Sequence, residues 1–451
     1  MLTNQPWMKG IYDLNIERIQ ASEEGRDLTS VEKELDSLCE DPRNPLLYKR
    51  AEELYDTIQT LPLKAGYPYV EPNTIADIHA QCGTAASLPP MTLSKEALYD
   101  RILGAWLARC AGCLFGQPVE GWYRRRIQGF LHDSGNLPVT RYMSSEIPDA
   151  LREKYDVRDD GGPYGAKYKN WINHVDAMPE DDDINYTVIA LKLMELRGRD
   201  FTPEQVGEEW LASLPLLRTC TAERIAYINL ANLVLPPLSA VKHNPYREWI
   251  GAQIRGDLFG YVNPGDPKTA ADMAFRDASI SHVKNGIYGE MYVASMIAAA
   301  FATDDPARIV RAGMEQIPQK SRLYEKLNIL IMGWELGKTL KMFLADFYRE
   351  YDETIPHNWC HTIPNALLVT AGLLYHGMDF VPSMAFGTTA GFDTDCNSAT
   401  IASVIGAAKG AMALPQEWFF PLNNMAYTCV SSYGHMSITD LAKRTLALAK
   451  Q

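Results

Sequence analysis

Three consecutive aspartates stand in the stretch Pro179-Glu180-Asp181-Asp182-Asp183-Ile184-Asn185-Tyr186-Thr187, just ahead of an apolar helical pattern. One or two acids at a helix start simply meet the positive end of the helix dipole. Three in a row repel one another. A hard, oxygen-seeking cation such as Mg²⁺ or Mn²⁺ resolves that repulsion. A second acidic segment, Gly391-Phe392-Asp393-Thr394-Asp395-Cys396-Asn397, also precedes a helical pattern. Alone it reads equally well as an Asp-rich turn with an N-cap. The third segment is Gly112-Cys113-Leu114-Phe115-Gly116-Gln117-Pro118-Val119-Glu120, whose glycines and Pro118 stop a helix and leave Glu120 just beyond it. Two acidic helix starts in one apolar helical domain point to a shared metal site, with Glu120 as a nearby carboxylate.

The elements that must position these residues are helices. Residues 96–113 are apolar at helical spacing and carry Gly104, Ala108 and Gly112 four apart. Residues 397–413 carry Ser398, Ala402, Gly406 and Gly410 at the same interval. These small faces let two helix backbones approach closely in the core, which places Asp393 and Asp395 at one helix mouth. Further helical patterns cover 184–198, 203–213, 220–234, 268–279, 285–302, 306–315, 319–338, 340–350, 364–376, 380–390 and 437–449. Strand alternation does not persist anywhere, so the fold class is all-α. Residues 1–90 read as a helical extension without chemistry of its own, over 15–26, 29–40 and 45–61, its acids on solvated faces. A linker at Gly83–Pro90 separates it from the domain at 91–451. The polar, Gly/Pro-broken stretch 133–180 is an insertion expected near the site, where a long loop is usually functional.

Composition narrows the function classes. The chain has 43 Lys plus Arg against 56 Asp plus Glu, a net of −13, and no basic stripe, which argues against a nucleic-acid partner. No uninterrupted apolar run has the ~20 residues a membrane span needs, and the first twenty residues do not read as a signal peptide. The eight cysteines are scattered, and only Cys110 and Cys113 form a C-x-x-C pair, inside a helical pattern. Reduced thiols and a cytoplasmic protein follow as expectations. His357 and His361 are four apart, but Trp359 and Pro364 break a shared helical face there. There is no G-x-S-x-G, P-loop or G-x-G-x-x-G. Oligomeric state is not set by anything in the sequence.

Together the three segments resemble the ADP-ribosylglycohydrolase family, with its G-D-A-L-G-x-P-x-E-like, T-D-D-T-like and late G-G-D-T-D-T-N-like motifs in the same order. Gly251-Ala252-Gln253-Ile254-Arg255 resembles the family's N-G-A-A-M-R ligand loop, Ser281-His282 its T-H, and Leu414-Pro415-Gln416-Glu417-Trp418 its I-P-x-x-W. The resemblance covers about 95–420. It implies an orthogonal all-α bundle around two Mg²⁺ ions (Mn²⁺ as substitute). It also implies metal ligation by Asp181, Asp182, Asp183, Asp393, Asp395 and Cys396. Catalysis falls to Glu120, Asp182 and Asp395. Glu120, Gly251, Ala252, Gln253, Arg255 and His282 are implied to contact substrate.

The chain departs from the pattern at several positions. Cys113 stands where Asp is usual, Asp181 and Ile184 replace the two Thr, Cys396 replaces the late Thr, and Ile250 replaces the Asn of the ligand loop. The thiol is a poor Mg²⁺ ligand, and Asp181 adds a negative oxygen in compensation.

The implied reaction is hydrolysis of an N- or O-glycosidic bond at the anomeric carbon of a ribose or ADP-ribose moiety, with two metals holding the ribose hydroxyls and a water. The partner is then a ribosyl or ADP-ribosyl substrate: an ADP-ribosyl-protein or a small ribosyl metabolite. The insertion at 133–180 is expected to cover the sugar or its leaving group. One rival is a degenerate member that senses a ribosyl or nucleotide ligand. Another is D-D-x-x-D diphosphate chemistry, but Asp181-Asp182 are followed by Asn185 and no second triad exists.

Overall fold

A computed structural model describes residues 5–84, 86–162 and 165–449. Among these the regular structure is helical, apart from an antiparallel pair, Met425–Tyr427 (β1) and His435–Ser437 (β2), in which Ala426 faces Met436. The helices that position the site are Leu14–Glu23 (α1), Lys95–Gly116 (α2), Asp182–Arg197 (α3), Asn285–Ala300 (α4), Thr362–Tyr375 (α5) and Thr394–Lys409 (α6). The all-α expectation holds.

The pairing of α2 with α6 is the contact the small residues called for. A Cβ on Gly104 would lie 2.6 Å from the backbone nitrogen of Ala411. One on Gly112 would run into the backbone of Ser398, and one on Gly116 into the backbone of Asp395. Nothing larger than glycine fits at these three points, and Gly116 therefore seats the first turn of α6 against the end of α2. Around this pair α4 is buried on every side, as an apolar helix at the centre of a large core should be. By length and composition alone Lys95–Val119 could cross a bilayer, but 89% of its most apolar window is buried inside the protein.

Residues N-terminal to α2 form their own apolar cluster, with Leu14, Leu35, Leu54 and Ile58 inside. The acids of α1 depart from expectation. Glu17 and Glu24 are not solvated: they are 0% and 2% exposed and pair with Arg247 at 2.5 and 2.7 Å. The physical reason is that their counter-ions come from distant segments. Lys284 reaches Glu24 at 3.0 Å, and Arg322 bridges Glu71 (2.9 Å) and Glu248 (2.6 Å).

His357 and His361 also depart from expectation. The chain turns between them so that both rings face Glu23 of α1, at 3.3 and 3.6 Å. His357 Nδ1 accepts the Trp249 indole N–H (3.2 Å) and His361 Nδ1 accepts the Ile363 N–H (3.1 Å). Both Nε2 atoms therefore carry the proton in the neutral rings. The trio clamps a carboxylate and lacks the free lone pairs a metal needs.

Two elements had no clear pattern in the sequence. Arg124–Asp133 opens with three arginines, yet buries Ile127, Phe130 and Leu131. Within 133–180 the α-helix is Asp149–Lys154, and the fully buried Trp171 anchors the irregular remainder.

Candidate functional site

Asp181 is the N-cap of α3. Its Oδ1 accepts the Asp183 N–H (2.9 Å), and its Oδ2 accepts the Gln117 amide (2.5 Å). Gln117 is held in turn by Asn170 (3.1 Å). Asp393 is the N-cap of α6, and its carboxylate faces Cys396 in the first turn of that helix. Gly391 and Phe392, both left-handed (φ 78° and 60°), make the turn that delivers it. Because Gly116 admits the first turn of α6, the two helix starts meet.

The ligand atoms of Cys113, Asp181, Asp183 and Asp395 all lie within 4.8 Å of one another, and so do those of Asp393, Asp395 and Cys396. Asp395 belongs to both groups. Asp183 Oδ2 and Asp395 Oδ1 are buried without a hydrogen-bond partner. A buried carboxylate oxygen left this way is costly unless a proton or a cation meets it. Burial first, then Asp181 and Asp182, push the Asp183 carboxyl well up, against the pull of Arg109. Burial and then Glu120 and Asp393 do the same at Asp395. Burial raises Asp393 to about 6, partly offset by a hydrogen bond from Cys396. Orphaned oxygens with several carboxylates in reach fit a hard divalent cation. The two sulfurs fit it poorly, and burial followed by the neighbouring carboxylates keeps Cys396 and Cys113 as neutral thiols.

Asp182, Asp393, Asp395, Cys396 and Glu120 border a cavity of about 370 Å³. Glu120 keeps accessible surface there. The enclosed setting, then Asp393, Asp181 and Asp182, push its carboxyl well up.

Of the 251–255 loop, Gly251 and Ile254 reach the cavity. Ala252, Gln253 and Arg255 are buried behind the wall. Arg255 is occupied by Glu223 (3.1 Å) and Asp277 and does not border the cavity. His282 is 1% exposed, bonded to Ser281 (2.8 Å), and likewise does not border the cavity. No described residue of 133–180 borders it either. Asn170 of this stretch supports Asp181 from behind through Gln117.

Several residues escaped sequence reasoning. Arg109, fully buried in α2, pairs with Asp183 (2.9 Å) and Asp257 (2.9 Å) and donates to Thr187 (2.9 Å). Its signal was a lone charge in the apolar part of the helix, 102–116. Glu223, 2% exposed, lines the cavity beside Gly251, and burial raises its carboxyl to about 7 with Arg255 opposing. Trp7 lines the cavity too, so the extension contributes a wall residue to the site.

Residues 94–451 match the sequence profile of the ADP-ribosylglycohydrolase family. The chain belongs to the ADP-ribosylglycohydrolase family. Among solved structures it is similar to one described as an ADP-ribosylglycohydrolase-related protein complex, at 20% identity and a TM-score of 0.47, over 78% of this chain and 98% of that one. Comparison with curated proteins gives no match. The matched span begins at Ser94, the N-cap of α2. The three acidic or Gly-rich segments of this ADP-ribosylglycohydrolase-family chain all lie inside it. Trp7, Glu17, Glu23 and Glu24 lie outside it.

Proposed function

We propose that this protein is a divalent-cation-dependent hydrolase that cleaves an N- or O-glycosidic bond at the anomeric carbon of a ribose or ADP-ribose moiety. Family membership supports a glycohydrolase. The observation that carries the finer reading is the meeting of two acidic helix starts with orphaned oxygens on Asp183 and Asp395. Asp182, Asp183, Asp393 and Asp395 would hold the cation, Mg²⁺ or Mn²⁺, with Asp181 beside them. Two overlapping ligand groups sharing Asp395 make room for a pair of ions. When bound, the cation supplies positive charge that orders sugar hydroxyls and acidifies water.

The chain's own groups do the rest. Gln117 and Arg109 fix Asp181 and Asp183, which sets the geometry before substrate arrives. Glu120 is the most exposed carboxyl of the group and moves the proton. The C1′–N or C1′–O bond breaks, the water oxygen joins C1′, and one water proton ends on the leaving atom.

The test is release of reducing sugar from ribosyl substrates with Mg²⁺, Mn²⁺ or chelator, in the wild type and in an Asp183→Asn plus Asp395→Asn double variant. The wild type should gain both turnover and melting temperature with metal, and the double variant neither. An equal metal response in the double variant refutes the assignment. Binding without turnover of any ribosyl compound points instead to a ligand sensor.

A further inference from the structure

We propose that the substrate is a ribonucleoside-type N-glycoside: a ribose without phosphate, carrying a planar nitrogen heterocycle that Trp7, Trp249 and Trp359 receive. This rests on the ribosyl-hydrolase reading and narrows it.

Two independent features of the cavity carry the inference. The first is charge. Glu120, Asp182, Glu223, Glu353, Asp393 and Asp395 line it, and among the described residues no lysine or arginine does. A substrate diphosphate would enter a wall of carboxylates whose lining contains no guanidinium or ammonium; Lys169 acts on Glu120 from outside that lining. One or two cations at the aspartates would be used by the sugar end. Juxtaposed like charges exclude a ligand strongly, and phosphate sites ordinarily supply Arg or Lys. Arg224 lies over the Trp7 ring at 5.2 Å, but its donors are turned to the carbonyls of Pro6, Leu217 and Thr219.

The second feature is aromatic. Trp7, Trp249 and Trp359 border the same cavity as the aspartates. Trp7 packs against the Ala222–Ile225–Tyr246–Trp249 cluster, and Cys360 of the cavity wall packs there too. The backbone of Trp7 is left-handed, with φ 57°, a conformation a bulky residue rarely adopts. Its carbonyl neighbour Pro6 is tied to Arg224 (2.9 Å), which holds that strained turn in place. Indole faces bind planar rings by stacking, whatever the ring's substituents. Glu223 adds a carboxyl that accepts from ring N–H donors. A family-wide sugar site would thus receive its leaving-group selectivity partly from a residue outside the family's matched span.

In the reaction the C1′–N bond breaks and the water oxygen bonds C1′; a uracil or hypoxanthine ring takes one proton of that water on its departing nitrogen, whereas the pyridinium ring of nicotinamide riboside leaves as neutral nicotinamide and that proton goes to solvent. The free base and ribose leave, with no oxidation or reduction.

The experiment uses the full-length protein with Mg²⁺ and compares kcat/KM for uridine, inosine and nicotinamide riboside with uridine 5′-monophosphate and ADP-ribosyl-arginine. At least one nucleoside should exceed both phosphorylated compounds by about 100-fold or more. Trp7→Ala should raise KM for that nucleoside about tenfold, while Trp7→Phe keeps KM near wild type. Inhibition by free ribose should be the same in all three proteins, which shows that the sugar end is intact. Preference for a phosphorylated compound overturns this inference and leaves the ribosyl-hydrolase reading standing. An unchanged KM in Trp7→Ala overturns the role of Trp7. Should no compound turn over, the hydrolase reading fails, and calorimetric titration of uridine against ADP-ribose decides this one. Tighter binding of uridine supports it, and tighter binding of ADP-ribose, or none of either, overturns it.

Discussion

Replacing Arg109 with Met should destabilise the protein in a pH-dependent way. Arg109 is fully buried, and so are its partners Asp183 and Asp257. Methionine keeps an unbranched apolar stem and removes the charge. Both carboxyls are then left in the core without their cation, and Asp183 also keeps Asp181 beside it. Breaking a buried pair by removing one member destabilises by about 3–5 kcal/mol at neutral pH. The sign with pH follows from the carboxyls. Burial already raises both, with Arg109 opposing, and losing Arg109 raises them further. A carboxyl raised in the folded state contributes its full stability below the unfolded value, about 3.9 for Asp, and loses it as pH rises through the folded value. The deficit should therefore be largest near pH 8 and shrink toward pH 5. Urea denaturation of wild type and Arg109→Met at both pH values, followed by circular dichroism, measures it. A deficit below about 1 kcal/mol, the scale of an exposed pair, or one that does not change with pH, would refute the argument.

Cys396→Ser and Cys396→Thr should both keep metal-dependent turnover, because the buried thiol is neutral and Mg²⁺ gains little from sulfur. Loss of turnover in both, with the fold intact, would demand a thiol role. The 2-deoxyribosyl analogue of any substrate should react about 10⁴-fold more slowly in kcat/KM, since a site built on a sugar hydroxyl rejects a ligand lacking it. The uncatalysed bond breaks more easily in the deoxy sugar, so similar values would mean the site does not hold the diol. Arg247→Met strands Glu17 and leaves Glu24 with Lys284 alone, with an expected loss of about 3–5 kcal/mol, and limited proteolysis should then release the extension. Wild-type resistance to protease would show that Arg247 does not dock it.

What was legible in the sequence was local. Glycines and alanines four apart on 96–113 and 397–413 state a close approach that is independent of the rest of the fold, and α2 and α6 make it. Asp181–Asp183 and Asp393–Asp395 announce themselves by repulsion within one turn. What was illegible depended on partners far along the chain. Arg109 looks like a stray charge until Asp257 is seen across from it. Glu17 and Glu24 look solvated because Arg247 and Lys284 are nowhere near them in sequence. Arg124–Asp133 hides its apolar face behind three arginines. Trp7 carries no local sign that it returns to a cavity built by residues after 94.

The departures from the family pattern read as one coupled set once the site is assembled. Cys113 removes a carboxylate from the group it forms with Asp181, Asp183 and Asp395. Asp181 restores one, and both its oxygens are then engaged, by the Asp183 N–H and the Gln117 amide. Arg109 takes Asp183 Oδ1 and leaves Oδ2 without a partner. Within that group of four, three carboxylates thus stand beside one guanidinium, which Asp257 shares. A fourth carboxylate at position 113 would need further cationic charge to remain ionised in a buried setting. The same frugality with positive charge extends to the cavity, where the described wall offers none. On the proposed reading, the carboxylate wall and the tryptophans of the cavity together favour a ligand that brings a sugar and a ring but no phosphate.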